Sequence, residues 1–461
     1  MRLTVIGCGY LGAVHAAAMA DLGHHVLGVE TDPARLALLA RGEAPFYEPG
    51  LDELLRRGAR TGRLRYAAEL DGAAARADVH FLAVGTPQSP SGRGADLSHL
   101  WRAVDSLAAV LPRCVHPDGM PLVVGKSTVP VGTAQQVADR LAGRALVVWN
   151  PEFLRESMAV ADTLSPDRIV YGLPTEPARA ERARAILDEV YAPILAAGAP
   201  RLTMGYQTAE LVKTAANAFL ATKISFINAM SALCAATGAD VTVLADAIGR
   251  DARIGPHFLR AGLGFGGGCL PKDLRGLEQS AAELGANGLA SFLSRVDSIN
   301  RGQRDRVTQM ALEALGPNPA GRAVTILGIT FKPDSDDLRD SPVLEVALRL
   351  ADAGAVVTVH DPRGLEGLSR LHPVLRAQPD ALRALEGAEL VILGTEWKEL
   401  TDLDPRAAAA RVARPVLIDA RNALAPSRWT AAGWDYHGIG RPSELRWSAP
   451  RRRALAGTMV G

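Results

Sequence analysis

The 461-residue sequence holds only four cysteines, Cys8, Cys114, Cys234 and Cys269, and no two of them form a C-x-x-C pair. Scattered in this way they suit neither a zinc site nor a disulfide framework. No metal is expected, and a lone cysteine in unusual surroundings becomes a candidate for chemistry. Charge of one sign is also lacking. The formal net charge is +1, and no like-charged run is long enough for a nucleic-acid groove, so the arginines at 451–453 read as a solvated tail. Nor is there a stretch of about 18 consecutive apolar residues, the length a membrane span requires. The first residues lack the basic region, apolar region and cleavage site of a secretory signal. A cytoplasmic protein without nucleic-acid or membrane partners is expected. Short-period repeats are absent too.

What is present is an ordinary folded composition, 48% hydrophobic and 22% charged, in a chain longer than one core usually serves. Two or three domains follow. Short apolar runs at 3–6, 25–29, 79–84, 122–124 and 146–149 alternate with amphipathic, Ala-rich stretches and read as buried parallel strands. Between about 207 and 237 the pattern changes to one long helix, with Leu211, Ala215, Phe219, Leu220, Ile224, Ile227 and Met230 spaced along a face. Such a helix suits a spine between two lobes and a dimer contact. A Gly/Pro-bearing break at 317–321 precedes further strands at 324–327, 356–359, 390–393 and 416–418. The expected fold is α/β: two Rossmann-like doubly wound domains joined by a long central helix and a helical middle domain. The boundaries fall at 1–200, 201–300 and 301–445, with a tail at 446–461. Each sheet offers a crevice at the carboxyl ends of its strands, one for a cofactor and one for a substrate nucleotide.

Gly7-Cys8-Gly9-Tyr10-Leu11-Gly12 follows the first strand and opens the first helix, the context a dinucleotide fingerprint needs. Glycines let the backbone approach a pyrophosphate at the helix N-terminus. Glu30 ends the second strand, where a carboxylate accepts ribose hydroxyls and repels a 2′-phosphate, so NAD is expected over NADP. The alternative is a tight strand-to-helix turn with no ligand.

The glycine-rich stretch from Phe258 to Asp273 contains Gly262, Gly264, Gly266, Gly267 and Gly268, then Cys269-Leu270-Pro271-Lys272-Asp273. So much glycine is costly to order and suggests close backbone approach to a ligand. Pro271 suits a helix's first turn. Cys269 would then sit by a positive helix N-terminus beside Lys272, two features that lower a thiol's pKa. Taken alone, a cysteine after glycines is more often a small buried residue. Lys213 and Asn217 are four apart on the long helix and share a face.

Over nearly its full length the chain resembles the UDP-glucose/GDP-mannose dehydrogenase family. The resemblance runs in order through the glycine fingerprint, Pro45-Phe46-Tyr47-Glu48-Pro49-Gly50-Leu51, Val84-Gly85-Thr86-Pro87 and Ser127-Thr128-Val129-Pro130-Val131-Gly132-Thr133. It continues through Asn150-Pro151-Glu152-Phe153-Leu154-Arg155-Glu156, Glu210-Leu211-Val212-Lys213 with Asn217, the Gly264 to Asp273 run, Phe331-Lys332-Pro333 and Asp419-Ala420-Arg421-Asn422. It implies a four-electron oxidation of a nucleotide hexose at C6, through a cysteine thiohemiacetal and thioester, with NAD as cofactor. Cys269 would be the nucleophile. Lys213 and Asn217 would stabilise the C6 oxyanion, Asp273 would assist proton transfer, and Glu152 with Thr86 would position the hydrolytic water. Besides the fingerprint and Glu30, the cofactor set implied is Arg35, Thr86, Thr128, Glu156 and Lys272. The substrate set is Phe153, Leu154, Lys213, Asn217, Phe258, Gly266, Gly267, Lys332 and Arg421, with Arg253 reaching a neighbouring subunit's site in a homodimer. On spacing alone, Lys213 and Glu210 read as a solvated helical face and Glu152 with Arg155 as an exposed pair.

The sequence departs from the commoner family pattern at Glu30, where aspartate is usual, at Ser157 and Ala420, where glycine is usual, and at Gly268, where serine is common. Leu154-Arg155-Glu156-Ser157 also occurs in the GDP-mannose branch. The segment from Ala216 to Ala221 and Ile254-Gly255-Pro256 look more like the UDP-glucose branch, which makes UDP-glucose the expected partner and GDP-mannose the alternative. Two further alternatives stand: a two-electron hydroxyacid dehydrogenase that needs no cysteine, and a nucleotide-sugar sensor without turnover.

Overall fold

The computed structural model describes residues 1–70, 74–89, 94–112 and 119–442. Cys114 and the tail at 446–461 lie outside the described residues. The first sheet contains β1 (Arg2–Ile6), β2 (His25–Val29), β3 (Leu64–Ala67), β4 (Val79–Leu82), β5 (Leu122–Gly125), β6 (Leu146–Trp149), β7 (Ile169–Leu173) and β8 (Arg201–Gly205). Their order is β3-β2-β1-β4-β5-β6-β7-β8, parallel throughout except where β7 meets β6. Helices cover both faces, so Leu122, Val123 and Val124 of β5 are all buried, each such side chain contributing roughly 1.5–3 kcal/mol. The apolar runs read from the sequence are these central strands. β3 and β8, at the sheet edges, carry Arg65 and Arg201 and lack the apolar run that marks a buried strand.

The second sheet contains β9 (Ala323–Leu327), β10 (Val356–His360), β11 (Arg376–Ala377), β12 (Leu390–Leu393), β13 (Val416–Asp419) and β14 (Asp435–Gly438). Its order, β11-β10-β9-β12-β13-β14, repeats the 3-2-1-4-5-6 arrangement of the first, all parallel. In each sheet the chain reverses direction of travel beside the first strand, β1 or β9. That reversal opens the ligand crevice of such folds.

Between the sheets lies the 32-residue helix Tyr206–Thr237, ended by Gly238 in the left-handed conformation (φ 77°). It packs on β7, on Leu270–Glu283 and on Asn287–Leu315. By length and composition it would also cross a membrane, with a mean hydropathy of 1.4 over its most apolar window. The face chosen from apolar spacing is buried at Ile227, with Ile224 and Met230 packed on the core, but not in the helix's first half. Ala209, Lys213, Ala218, Ala221, Ser225 and Asn228 face inward, whereas Leu211 is exposed, Phe219 is 67% exposed and Phe226 52%. Close packing on β7 explains the reversal, because a side chain at Gly172 would strike the Ala209 methyl at 2.6 Å. Only small residues fit there. Glu210 is buried too, accepting from the backbone N–H groups of Gly132 (2.7 Å) and Ala134 (2.6 Å). It therefore holds the N-terminus of the helix Thr133–Arg140 to the long helix, and is not a solvated residue.

Candidate active site

The glycine turn leaves β1 at the point where the sheet order reverses. Gly7 has φ 86°, and a side chain at Gly12 would place Cβ 1.8 Å from the Gly7 carbonyl oxygen. Both positions are therefore restricted to glycine by the turn itself. Gly9, in contrast, faces open space, with nothing within 4 Å of an added Cβ, which leaves the N-terminus of Tyr10–Asp21 free to meet an anion. Glu30 is buried at the end of β2. It accepts from the backbone N–H groups of Cys8 (3.2 Å) and Asp32 (2.9 Å), and from Arg35 (3.1 Å). An open helix terminus beside a fixed carboxylate fits a dinucleotide with a free ribose diol. Cys8 is enclosed here, and burial pushes its thiol up, so it is a packing residue.

A cavity of about 820 Å³ lies between the two sheets and the long helix, at the upper end of small-molecule sites. Six cationic side chains and four carboxylates line it, a balance suited to a diphosphate. Lys213 and Asn217 both reach its wall from the long helix. Lys213 Nζ pairs with Glu152 Oε1 at 2.9 Å, and Glu152 Oε2 accepts from the Leu154 backbone N–H at 2.6 Å. Neither side chain is a solvated surface residue. Burial works against the Lys213 charge, but Glu152, Cys269 and Asp273 outweigh it and hold the ammonium above the usual lysine range. Asn217 Nδ2 donates to Asp273 Oδ2 at 2.6 Å, which joins the long helix to Leu270–Glu283. Phe153, Leu154, Phe258, Gly266, Gly267 and Lys332 share the same wall.

Cys269 stands at the N-cap of Leu270–Glu283, with Pro271 in the first turn, and its thiol is open to the cavity. The expected lowering of its pKa does not occur. Protein atoms surrounding the site, together with the charges of Glu152, Asp273 and Glu156, push the thiol up to about 12, and Lys213 pulls the other way. Lys272 does not compensate, because its ammonium is paired with Asp273 at 2.8 Å. Burial first, and then three carboxylates, thus raise this thiol, with Lys213 the one charge that opposes them.

The glycine run before Cys269 is a packing seam as well as a cavity wall. A Cβ on Gly266 would lie 2.2 Å from the Asp340 carbonyl oxygen. The loop after β9 thus presses directly on this backbone. Arg421 bridges the seam, donating to the carbonyls of Gly394 (2.7 Å), Gly264 (3.0 Å) and Phe331 (3.0 Å). Glu156 also faces the second sheet. Its backbone carbonyl accepts from Lys332, and its carboxylate is 3.3 Å from Arg339. Burial, and then Asp337, raise the Glu156 carboxyl to about 7. Ser157 lies at φ 69°, which explains why glycine suits this position, and its hydroxyl donates to the Pro333 carbonyl at 3.4 Å. The carboxylate of Glu48, from the Pro45 to Leu51 motif, accepts from Tyr10 and from the backbone N–H groups of Ser157 (2.8 Å) and Ala159 (2.8 Å). That motif braces the cofactor turn against the cavity wall.

Several expected residues lie elsewhere. Thr86 is buried and donates to the Thr128 carbonyl at 2.7 Å, away from the cavity wall that carries Glu152. Its hydroxyl is committed to the backbone of the next loop. Arg253 is exposed and paired with Asp251 at 2.6 Å, outside the cavity of its own chain. Conversely, Lys126, Arg168 and Lys223 line the cavity without having been singled out. Lys223 was within reach of sequence reasoning, since 213, 217, 220 and 223 follow the helical period. Arg168, 3.9 Å from the Phe153 ring centroid, was not, because it arrives from the loop before β7.

Doubly wound sheets on either side of a cavity that charged side chains enter, with the dinucleotide turn on one of them, are the plan of a dehydrogenase that reads a second nucleotide through its other sheet. Residues 1–195 match the NAD binding domain of the UDP-glucose/GDP-mannose dehydrogenase family, 207–302 its central domain and 325–426 its UDP binding domain. The UDP-glucose 6-dehydrogenase of Pseudomonas aeruginosa is 41% identical over 457 residues, covering 96% of this chain and 98% of the relative. That of Rhizobium meliloti is 39% identical, covering 96% and 100%. Among solved structures, a UDP-glucose dehydrogenase from the hyperthermophilic archaeon Pyrobaculum islandicum superposes with a TM-score of 0.84 at 38% identity, covering 95% of this chain and 98% of that one. The chain belongs to the UDP-glucose/GDP-mannose dehydrogenase family, and it is an NAD-dependent nucleotide-sugar dehydrogenase.

Proposed function

We propose that this enzyme oxidises UDP-glucose at C6 to UDP-glucuronate, in four electrons, through a thioester on Cys269. The observation that carries the reading is the convergence of Cys269, Lys213, Asn217 and Glu152 on one cavity, with Asp273 tied to Asn217 behind it. NAD, when bound at the glycine turn, supplies the acceptor for the hydride that leaves C6 in each of the two oxidations. Lys213 and Asn217 hold the C6 oxygen, while Asp273 receives the hydroxyl proton through water. Cys269 then adds to the aldehyde: the S–C6 bond forms and the thiol proton ends on the C6 oxygen. Loss of a second hydride and of that proton leaves the thioester. Glu152 takes a proton from water as it attacks C6, the C6–S bond breaks, and the sulfur leaves as thiolate. One sugar consumes one water and two NAD and releases three protons.

UDP-glucose is preferred because the relatives of 41% and 39% identity carry that substrate in their names. The same reading assigns Lys332 to the diphosphate and Phe258, Gly266 and Gly267 to the nucleotide sugar, with Arg421 bracing the loop that meets it. Thr128 and Lys272 are assigned to the cofactor side. A homodimer completes it. The outer face of the long helix presents Leu211, Phe219, Phe226 and Leu233 at intervals of seven or eight residues, a stripe that a second copy would cover and that would carry Arg253 toward the partner's cavity. A cytoplasmic location, with access to NAD and nucleotide sugars, accords with this chemistry.

The test is NADH formed per mole of sugar consumed at saturating NAD, on UDP-glucose and GDP-mannose side by side. A ratio near two on UDP-glucose is expected. Two on GDP-mannose would keep the mechanism and change the substrate; one on either sugar would mean aldehyde release and would remove the covalent role of Cys269.

A further inference from the structure

The cavity that holds Glu152 also reaches Lys126, at the end of β5, which is 7% exposed. Its ammonium donates to Asn150 Oδ1 (2.9 Å), the Asn150 carbonyl (3.5 Å) and the Tyr191 hydroxyl (3.4 Å), and lies 5.9 Å from the Tyr191 ring centroid. All these partners are neutral, and among the described residues no carboxylate closes an ion pair with it. An ammonium buried in this way is disfavoured by the loss of its hydration. The fold nevertheless keeps one beside the active cavity.

The groups packed around it do not supply the missing charge. From Tyr10–Asp21 comes His15, 1% exposed, with a ring Nε2 that has no hydrogen-bond partner. Burial, then Lys126 and His24, hold that imidazole neutral. Tyr191 and, behind it, Tyr171 of β7 contribute phenols kept protonated by burial. Burial lowers Lys126 to about 8, and the one charge that opposes this is Glu152. The two opposite charges attract each other. The link is also mechanical. Asn150, which Lys126 holds by side chain and carbonyl, stands two residues before Glu152, and its Nδ2 donates to the Val170 carbonyl at 2.9 Å.

We propose that Lys126 is a positioning residue for Glu152: through Asn150 it fixes the strand end that carries this carboxylate, and so holds it where it receives a proton during thioester hydrolysis. Lys213, Cys269 and Asp273 face Glu152 from the long helix and from Leu270–Glu283, and Lys213 alone among them is cationic. Lys126 is the second cation. The inference rests on the role given to Glu152 above.

The test uses full-length enzyme with NAD and UDP-glucose, in wild type, Lys126→Met, Lys126→Arg and Asn150→Ala. Acid-quenched intact mass follows decay of the sugar adduct on Cys269. Lys126→Met removes the ammonium that holds Asn150, and Asn150→Ala removes the side chain it holds. Adduct decay should slow about tenfold, with KM for UDP-glucose unchanged and Lys126→Arg close to wild type. Adduct decay at the wild-type rate in Asn150→Ala would overturn the proposal, even if Lys126→Met failed to fold. Wild type that forms no adduct, or one NADH per sugar, would instead remove the mechanism on which the inference rests.

Discussion

The thiol of Cys269 offers the sharpest check on the site's electrostatics. With its pKa at about 12 in place of the ordinary 9.0, the thiolate fraction near pH 7.5 falls by about a thousandfold. A more basic thiolate is more nucleophilic, with a Brønsted slope of about 0.4–0.5, which returns roughly 15–30-fold. Iodoacetamide should therefore alkylate Cys269 about 50-fold more slowly than a free cysteine, at a rate that climbs tenfold per pH unit through pH 10 without a plateau. Intact-mass kinetics on protein free of cofactor and sugar would measure this, with Cys269→Ser subtracting the other cysteines. Glu152 is the largest charge raising the pKa, so Glu152→Gln should alkylate faster and Lys213→Met slower. Wild-type reaction at the free-thiol rate with a plateau below pH 9 would refute the reasoning.

Other outcomes follow from the same geometry. Ser157→Gly relieves a left-handed serine (φ 69°) and should gain up to ~1 kcal/mol in urea unfolding; a loss would mean that the Pro333 hydrogen bond is the larger effect. Glu156 has its carboxyl raised to about 7 from 4.5, so the folded state holds a proton that the unfolded chain has released between those values. Its contribution to stability is lost as pH rises across that window, up to ~3 kcal/mol by pH 8. Glu156→Gln should then be the more stable protein at pH 8 and equal to wild type at pH 5, a difference that chemical denaturation at the two pH values would reveal or deny. Phe219→Asp with Phe226→Asp should convert the proposed dimer to monomer in analytical ultracentrifugation, and an unchanged mass would place the interface elsewhere.

Local rules carried much of this protein. The buried central strands announce themselves because both faces are apolar, and the cofactor turn because Gly7 and Gly12 are required by the turn's own backbone. Lys213 and Asn217 share a face because 3.6 residues make a turn. These features depend on neighbours in sequence. The edge strands β3 and β8 did not stand out, since half their surface is solvent, and the interior β7, although buried, was not read either.

Tertiary structure decided the rest. Apolar spacing picked the wrong face in the first half of the long helix because small residues, not large ones, allow β7 to approach, and only the packed sheet shows that. A helix terminus and an adjacent lysine pointed to an acidic thiol, but Glu152 and Glu156 arrive from the loop after β6 and Asp273 takes up Lys272. Burial of the site, together with charges distant in sequence, thereby reverses the sign. Glu48, Lys126 and Glu210 acquire their partners only when separate elements meet. Their residue types alone say nothing of this, because a buried charge is defined by what the fold places around it.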